Sequence, residues 1–138
     1  MATYTKFNSF VEAVCEKVHN LGSDQLKVAL SNSAPSATNT QLSNITEITY
    51  TNVSGGAAGR NLTTSSSSQT SGTYSLVLSD LTITASGGSV GPFRYIVIYN
   101  DTAANDELIA WYDYGSSITL NDTDTFTVDF GANLFTLA

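Results

Sequence analysis

Few side chains in this chain can act as nucleophiles or as acid–base groups. His19 is the only histidine and Cys15 is the only cysteine. A Ser-His-Asp site requires a histidine held in a pocket beside an activated serine. His19 instead falls near the end of a predicted helix, where the negative end of the helix dipole favours it. We therefore expect no enzyme activity.

Metal ligation is the next chemistry to consider. Cys15 and His19 are four residues apart and share one face of a helix, but two ligands do not complete a zinc site. The run "NDTDT", with Asp122 and Asp124 and with Asp129 beyond it, offers oxygen ligands for calcium. A turn closed by hydrogen bonds from aspartate side chains explains the same residues. We predict no metal and no cofactor.

Aromatic side chains are concentrated in "AWYDYG". On a strand, Tyr112 and Tyr114 point to one side and Trp111 to the other. Exposed aromatic rings can bind sugars, so a carbohydrate-binding module is one interpretation of this segment. Packing at the rim of a β-sandwich, with the polar tip of each ring in water, is the other.

One amphipathic helix and a series of short strands must position these side chains. Apolar residues recur three or four positions apart between Phe7 and Leu21 and form a single stripe. Gly22 follows as a helix stop. We predict a helix over about 5–21, packed against a sheet or against one end of a sandwich.

Short β-type runs separated by turn residues fill the rest of the chain from about residue 26. Their number and close spacing, with no helical pattern between them, predict an antiparallel β-sandwich that resembles a jelly roll, built as a single domain over 1–138. The predicted strands are 26–31, 45–53, 73–79, 81–86, 93–100, 108–114, 117–121, 125–130 and 134–138.

Two segments stand out within this pattern. Residues 52–73 are rich in Gly, Ser and Thr and contain few large side chains, which predicts a mobile loop. The strand "FRYIVIYN" is apolar or aromatic at nearly every position, although a strand with one face in water should alternate. We expect its Ile96 and Ile98 to be covered by the opposing sheet and the helix. Phe93, Tyr95 and Tyr99 belong either to the core or to an interface.

The charge of the chain excludes several partners. Five basic residues against twelve acidic residues give a net charge of −7, and only Arg60 and Arg94 are basic after residue 30. Nucleic acids and anionic membranes attract clustered cations, which this sequence lacks. No apolar run approaches the roughly 20 residues that a membrane span needs, and the N-terminus lacks the pattern of a signal peptide.

Three long stretches carry a resemblance to known proteins. They are "MATYTKFNSFVEAVCEKVHNLGSDQLKVALSNSAP", "SGGSVGPFRYIVIYNDTA" and "LIAWYDYGSSITLNDTDTFTVDF". Together they resemble a family of short virion proteins of tailed bacteriophages, and the resemblance spans nearly the whole chain. It implies a structural protein of the particle, in particular a capsid cement (decoration) protein on the outer shell. It implies no catalytic residues.

A cement protein would be made in the cytoplasm of the host bacterium and would end on the outer capsid surface. Its partners would be the major capsid protein and further copies of itself, as a homo-dimer or homo-trimer. The alternatives are a tail or fibre component and the carbohydrate-binding module. Arginine is enriched at interfaces, and both arginines are therefore among the candidates for partner binding. The candidates are Arg60, Arg94, Tyr4, Lys6, Phe93, Tyr95, Tyr99, Trp111, Tyr112 and Tyr114.

Overall fold

Nine β-strands and one α-helix make up most of the regular structure of residues 2–138, the part of the chain that this computed structural model describes. The predicted fold class, an all-β antiparallel sandwich with one α-helix, is confirmed. The elements are β1 (Thr3–Lys6), α1 (Asn8–Cys15), β2 (Leu26–Ser31), β3 (Thr64–Thr70), β4 (Thr73–Leu78), β5 (Leu81–Thr84), β6 (Val90–Asn100), β7 (Leu108–Leu120), β8 (Thr125–Val128) and β9 (Phe135–Leu137), with short 3-10 helices at Leu42–Asn44 and Gly56–Arg60.

Three antiparallel sheets build the sandwich. The largest has the strand order β1-β7-β6-β2, and the smaller ones have the orders β3-β4-β9 and β5-β8. The main core lies between the large sheet and the two smaller ones, because it combines Ile96 and Ile98 of β6 with Leu76 of β4 and Ile83 of β5. Each of these side chains is almost fully buried. Burial of one such side chain contributes about 1.5–3 kcal/mol.

The helix is shorter than the predicted 5–21. Its expected first turn is instead strand β1, which pairs with β7. At the other end Lys17 has a φ of 67°, and the N–H of Val18 donates to the carbonyl of Ala13 at 2.9 Å. This is a Schellman motif with a residue other than glycine in the left-handed position. The apolar spacing continues past this point because Leu21 is buried outside the helix.

Both faces of strand β6 are covered. Ile96 and Ile98 face the main core, as predicted, and that core also includes Phe10 of α1. Val97 and Tyr99 point to the opposite side, into a second cluster of buried residues. That cluster is closed by Phe7 and by the long connection after β2, which contributes Ala37, Leu42 and Ile45.

Regular structure also occupies residues 52–73, which the sequence predicts as a mobile loop. A 3-10 helix spans Gly56–Arg60, and β3 pairs with β4 in a hairpin. Its two turn residues, Ser71 and Gly72, have φ values of 51° and 83°, as a type I′ turn requires. Leu62 is only 5% exposed and anchors the segment to the main core.

Two further predictions about strands differ from the structure. The predicted strands 108–114 and 117–121 are one strand, β7, with Gly115 at a φ of 99° inside it. Shifts of register between β6 and β7 accommodate this continuation. The predicted strand 45–53 forms no sheet strand. Single hydrogen bonds hold it, such as that from the N–H of Ile48 to the carbonyl of Leu30 at 3.0 Å.

Candidate interaction surface

A trough runs along one side of strand β1. Tyr4 and Lys6 are two residues apart and therefore share a side of the strand. Both line a hollow of about 230 Å³ between β1, α1 and β9. Ala2 and Tyr112 line a second hollow of about 380 Å³ beside β7 and β8. Tyr4 of the first hollow and Tyr112 of the second contact each other, with ring centroids 5.5 Å apart, so the two hollows lie side by side. We call the two hollows together the β1 trough.

The end of the trough beside α1 is apolar. Phe10 and Phe135 pack edge to face, with ring centroids 5.1 Å apart, and form its floor together with Val14. Val11 and Leu137 stand at its rim with 51% and 56% of their surface exposed. Phe10 and Val14 are four residues apart and lie on the face of α1 that meets the core, whereas Val11 is turned from that face toward solvent.

Aromatic rings line the end beside β8. Tyr114 is 45% exposed, and its ring meets that of Phe126 edge to face at a centroid distance of 5.4 Å. Tyr112 packs against Phe130, with centroids 6.1 Å apart. Alternation along β7 places Tyr112 and Tyr114 on this same side.

The exposed apolar surface of the molecule is concentrated in this trough. Among residues 2–138, the large hydrophobic side chains that are exposed are Val11, Tyr114 and Leu137, and all three line it. Single exposed apolar residues are ordinary, but their concentration in one concave surface marks an interaction site.

Two charged residues line the trough, one at each end. Lys6 borders the hollow beside α1, and Asp129 borders the hollow beside β8. Lys6 forms no ion pair within the described part of the chain, whereas Lys27 lies 3.6 Å from the carboxylate of Asp101. The trough therefore has a positive end and a negative end.

The hydroxyls of Tyr4 and Tyr112 remain neutral at physiological pH. Burial, with a smaller contribution from the neighbouring Tyr112, raises the pKa of Tyr4 to about 12. Burial also raises the pKa of Tyr112, with a smaller contribution from the charge of Asp129. Both hydroxyls can therefore donate hydrogen bonds to a partner that covers them.

The predicted contact residue Arg94 is on the surface but already has a partner. Its Nε and Nη2 donate to the two carboxylate oxygens of Asp113 at 2.7 and 3.1 Å. The hydrogen bonds of this pair lower the pKa of Asp113. This is an ordinary pairing of an arginine with a carboxylate, and Arg94 lies outside the trough.

Arg60 is not a surface residue. It is 8% exposed, and its Nη1 donates to the carbonyl of Val28 at 2.6 Å. Its guanidinium carbon lies 3.7 Å from the centroid of the Tyr50 ring. The prediction that Arg60 contacts a partner from a mobile loop therefore needs correction, because this side chain holds a 3-10 helix against β2.

Most of the predicted aromatic contacts belong to the core. Phe93 is fully buried and Tyr99 is 3% exposed. Trp111 is 9% exposed and packs on Phe7 at a centroid distance of 4.6 Å. Tyr95 lies half-buried at the margin of the same second cluster. Trp111 therefore cannot share an exposed sugar platform with the two tyrosines of the trough.

A buried polar cluster, which sequence reasoning did not identify, lies behind α1. The side-chain amide of Asn100 donates to Nδ1 of His19 at 3.0 Å and to the carboxylate of Asp24 at 2.7 Å. Its oxygen accepts the N–H groups of Thr102 and Ala103. His19 must therefore be the neutral tautomer protonated at Nε2, and burial lowers its pKa accordingly.

This cluster is a structural element. His19 and Asp24 border an open hollow of about 690 Å³. However, the Nε2 atom of His19 is buried and does not reach that hollow. The hydrogen bonds of Asn100 tie the turn after β6 to the segment that follows α1, and no nucleophile joins them.

Other chemical motifs have structural roles. The run Gly87-Gly88-Ser89-Val90-Gly91 fits the G-x-S-x-G pattern, but a strand follows its serine where a nucleophile elbow requires a helix. In the run "NDTDT", Asp122 and Asp124 accept backbone N–H groups at turns, as the turn interpretation expects. No group of three or more His, Cys, Asp or Glu side chains within residues 2–138 is arranged to hold a metal ion.

None of the helices in the described residues is both long and apolar enough to cross a membrane. Comparisons of the chain with protein-family models, with curated proteins and with solved structures find no match.

Proposed function

We propose that the protein is a structural virion protein that binds the outside of a bacteriophage capsid as a cement (decoration) protein and stabilises the shell. The observation that carries this proposal is the β1 trough. It gathers the exposed side chains of Val11, Tyr114 and Leu137 into one largely apolar, concave surface. This arrangement fits a protein that acts by contact, and the resemblance to phage virion proteins specifies the particle.

The mechanism follows from mass action. A protein that binds the assembled shell, but not separate capsid subunits, shifts the equilibrium toward the assembled state. Each occupied site contributes about 2.7 kcal/mol when the free protein is at 100 times its dissociation constant. Many weak sites on one lattice therefore sum to a large stabilisation, and copies that bridge neighbouring subunits gain avidity.

The composition supports the same role. Charged residues make up 12% of the chain, and the net charge of −7 opposes binding to the packaged nucleic acid. The side of β6 that a partner could have covered is closed by the chain itself. The trough is therefore the strongest remaining candidate for an apolar contact.

The alternatives have weaker support. A tail or fibre component would use the same kind of surface, and only the position in the particle distinguishes it. A carbohydrate-binding module keeps Tyr112 and Tyr114 but loses Trp111, which is buried under Phe7. Tyr112 is partly buried between Tyr4 and Phe130, which leaves Tyr114 as the one tyrosine of the pair with a largely exposed ring, and we therefore do not propose this function.

The test uses capsids assembled without the protein. Purified protein should co-sediment with these shells to a saturating stoichiometry, and occupied shells should rupture at a higher temperature than empty ones. Unassembled capsid subunits are the matched control and should not bind. Failure to bind shells at saturating concentration, or recovery of the protein only from purified tails, would contradict the proposal.

A further inference from the structure

We propose that the β1 trough is an interface between two copies of this chain, related by a two-fold axis, with trough facing trough and the two β1 strands antiparallel. This goes beyond the proposed function, which does not specify what occupies the trough. The proposal rests on the trough's apolar surface and on the positions of its two charged residues.

Charge selects a second copy as the occupant. The positive end carries Lys6 and the negative end carries Asp129. Ala2 lies at the negative end and is four positions from Lys6 along the extended strand β1. At roughly 3.3 Å per residue, the two ends of the trough are therefore about 13 Å apart. A partner of one charge sign would be attracted at one end and repelled at the other, whereas an inverted copy offers the complement of both.

The two-fold axis follows from the same positions. In a two-fold pair every contact occurs twice, so Lys6 of each copy would face Asp129 of the other. A parallel arrangement would instead bring Lys6 against Lys6 and Asp129 against Asp129. Like charges placed opposite each other suppress the wrong arrangement, and the charges therefore also fix the orientation.

The apolar side chains supply the energy of such a pair. Val11, Tyr114 and Leu137 are about half exposed in one copy and would all be covered by a facing trough. Tyrosine is enriched in protein interfaces. The rings of Tyr4 and Tyr112 contact each other where the two hollows adjoin, so a facing trough would cover both rings near the middle of the interface.

Sedimentation analysis of the purified protein tests the pairing. We expect a monomer–dimer equilibrium with a dissociation constant below about 100 µM, and we expect added salt to weaken the dimer. Lys6→Glu and Asp129→Lys should each weaken the dimer by about tenfold or more, because each places two like-charge pairs at the interface. The double variant, which keeps the net charge, should restore the affinity to within about threefold. Glu12→Lys changes the charge as Asp129→Lys does, but outside the trough, and should have little effect.

Two further readouts do not depend on the charges. Val11→Asp should abolish the dimer without unfolding the chain, because Val11 is 51% exposed. Cys15, the only cysteine, is exposed in the trough. Its rate of reaction with a thiol reagent should therefore fall as the protein concentration rises, and this protection should be lost in Val11→Asp.

The outcomes separate this inference from the proposed function. A wild-type chain that stays monomeric at protein concentrations up to about 100 µM would overturn the two-fold pair. So would a double variant whose dimer is as weak as that of the single variants. If that monomer still covered capsids, and Val11→Asp did not, the trough would bind the shell instead. A dimer that ignores capsids would overturn the cement function and leave the pair intact.

Discussion

Replacement of Arg60 by alanine should destabilise the fold and should not weaken partner binding by the folded protein. The Arg60 side chain is 8% exposed and donates to the carbonyl of Val28 at 2.6 Å. Its guanidinium lies against the ring of Tyr50, whose hydroxyl in turn accepts the N–H of Leu30 at 2.9 Å. Arg60 therefore joins a 3-10 helix, strand β2 and the irregular segment around Tyr50.

The magnitude follows from these contacts. A hydrogen bond from a charged donor contributes about 1.5–3 kcal/mol, and a desolvated cation–π contact about 2 kcal/mol. The Nε atom of Arg60 is buried and has no partner among the described residues, which offsets about 1–3 kcal/mol of this gain. Together these contributions predict that Arg60→Ala lowers the free energy of unfolding by about 2 kcal/mol, within a range of about 0.5–4 kcal/mol. Arg60→Met, which keeps most of the volume without the charge, should lower it less.

Urea unfolding followed by tryptophan fluorescence measures the change. Trp111 is the only tryptophan and is buried, so its emission reports the loss of the second cluster. The midpoint should fall by about 1 M urea for Arg60→Ala, at an unchanged slope. Arg94→Ala is the matched control. It removes the same side chain from a partly exposed ion pair, which contributes little to stability, and should shift the midpoint less than Arg60→Ala does.

One result would refute this reasoning. If Arg60→Ala unfolded at the wild-type midpoint and yet lost its occupancy on capsids, Arg60 would be a contact residue. Its burial against Tyr50 would then not describe the protein in solution.

Three further predictions concern stability. Burial lowers the pKa of His19 below its unfolded value of about 6.5, despite the nearby charges of Glu107 and Asp24. The folded state therefore binds a proton at His19 less readily than the unfolded state does. As the pH falls below about 6.5, the free energy of unfolding should fall by up to about 1.4 kcal/mol per pH unit. Urea titrations between about pH 7 and 5 should find that His19→Gln flattens this dependence, and an equally steep slope in the variant would exclude His19 as its source. Asn100→Ala removes four hydrogen bonds from a fully buried site and should lower the free energy of unfolding by about 3 kcal/mol or more in the same assay. A free energy of unfolding close to that of the wild type would mean that the cluster is dispensable. Gly59→Ala would place a Cβ against the carbonyl oxygen of Ser54 and should lower the melting temperature by several degrees, whereas an unchanged value would mean that this turn readily rearranges.

Patterns within single segments correctly predicted the strands of the core. Strand β2 has the bounds that its apolar run indicates, and β4, β5 and β8 lie within their predicted ranges. These strands bury at least one face, so their period of two appears in the sequence. Strand β3 could not be predicted in this way, because its sequence is mostly Ser and Thr and has no apolar alternation. It is a strand only because its backbone pairs with β4.

The ends of the helix could not be predicted from spacing. The buried residues of the stripe lie in three different structural settings. Phe7 is at the junction between β1 and α1, Phe10 is in the helix, and Leu21 follows the helix. A Schellman motif with Lys17 in the left-handed position gives no signal like that of glycine. Hydrophobic spacing therefore overestimated the helix by several residues at each end.

The trough was predictable only in part. Tyr4, Lys6, Tyr112 and Tyr114 were candidates from the sequence, but the pairing of β1 with β7 brings them together. That pairing joins segments about 100 residues apart, so no local pattern reveals it. Val11 was assigned to the buried stripe of the helix because its spacing fits, although α1 turns it to the rim. Arg60 was predicted at an interface because arginines are scarce in this chain, but it is buried. Its burial depends on a contact with the ring of Tyr50, which no local sequence pattern reveals.

A density map of the intact particle at side-chain resolution would locate the protein. We expect many copies of this β-sandwich on the outer surface of the capsid shell, each in contact with the major capsid protein. Copies found only in the tail or fibres, or a shell without any density for this fold, would contradict the assignment as a cement protein.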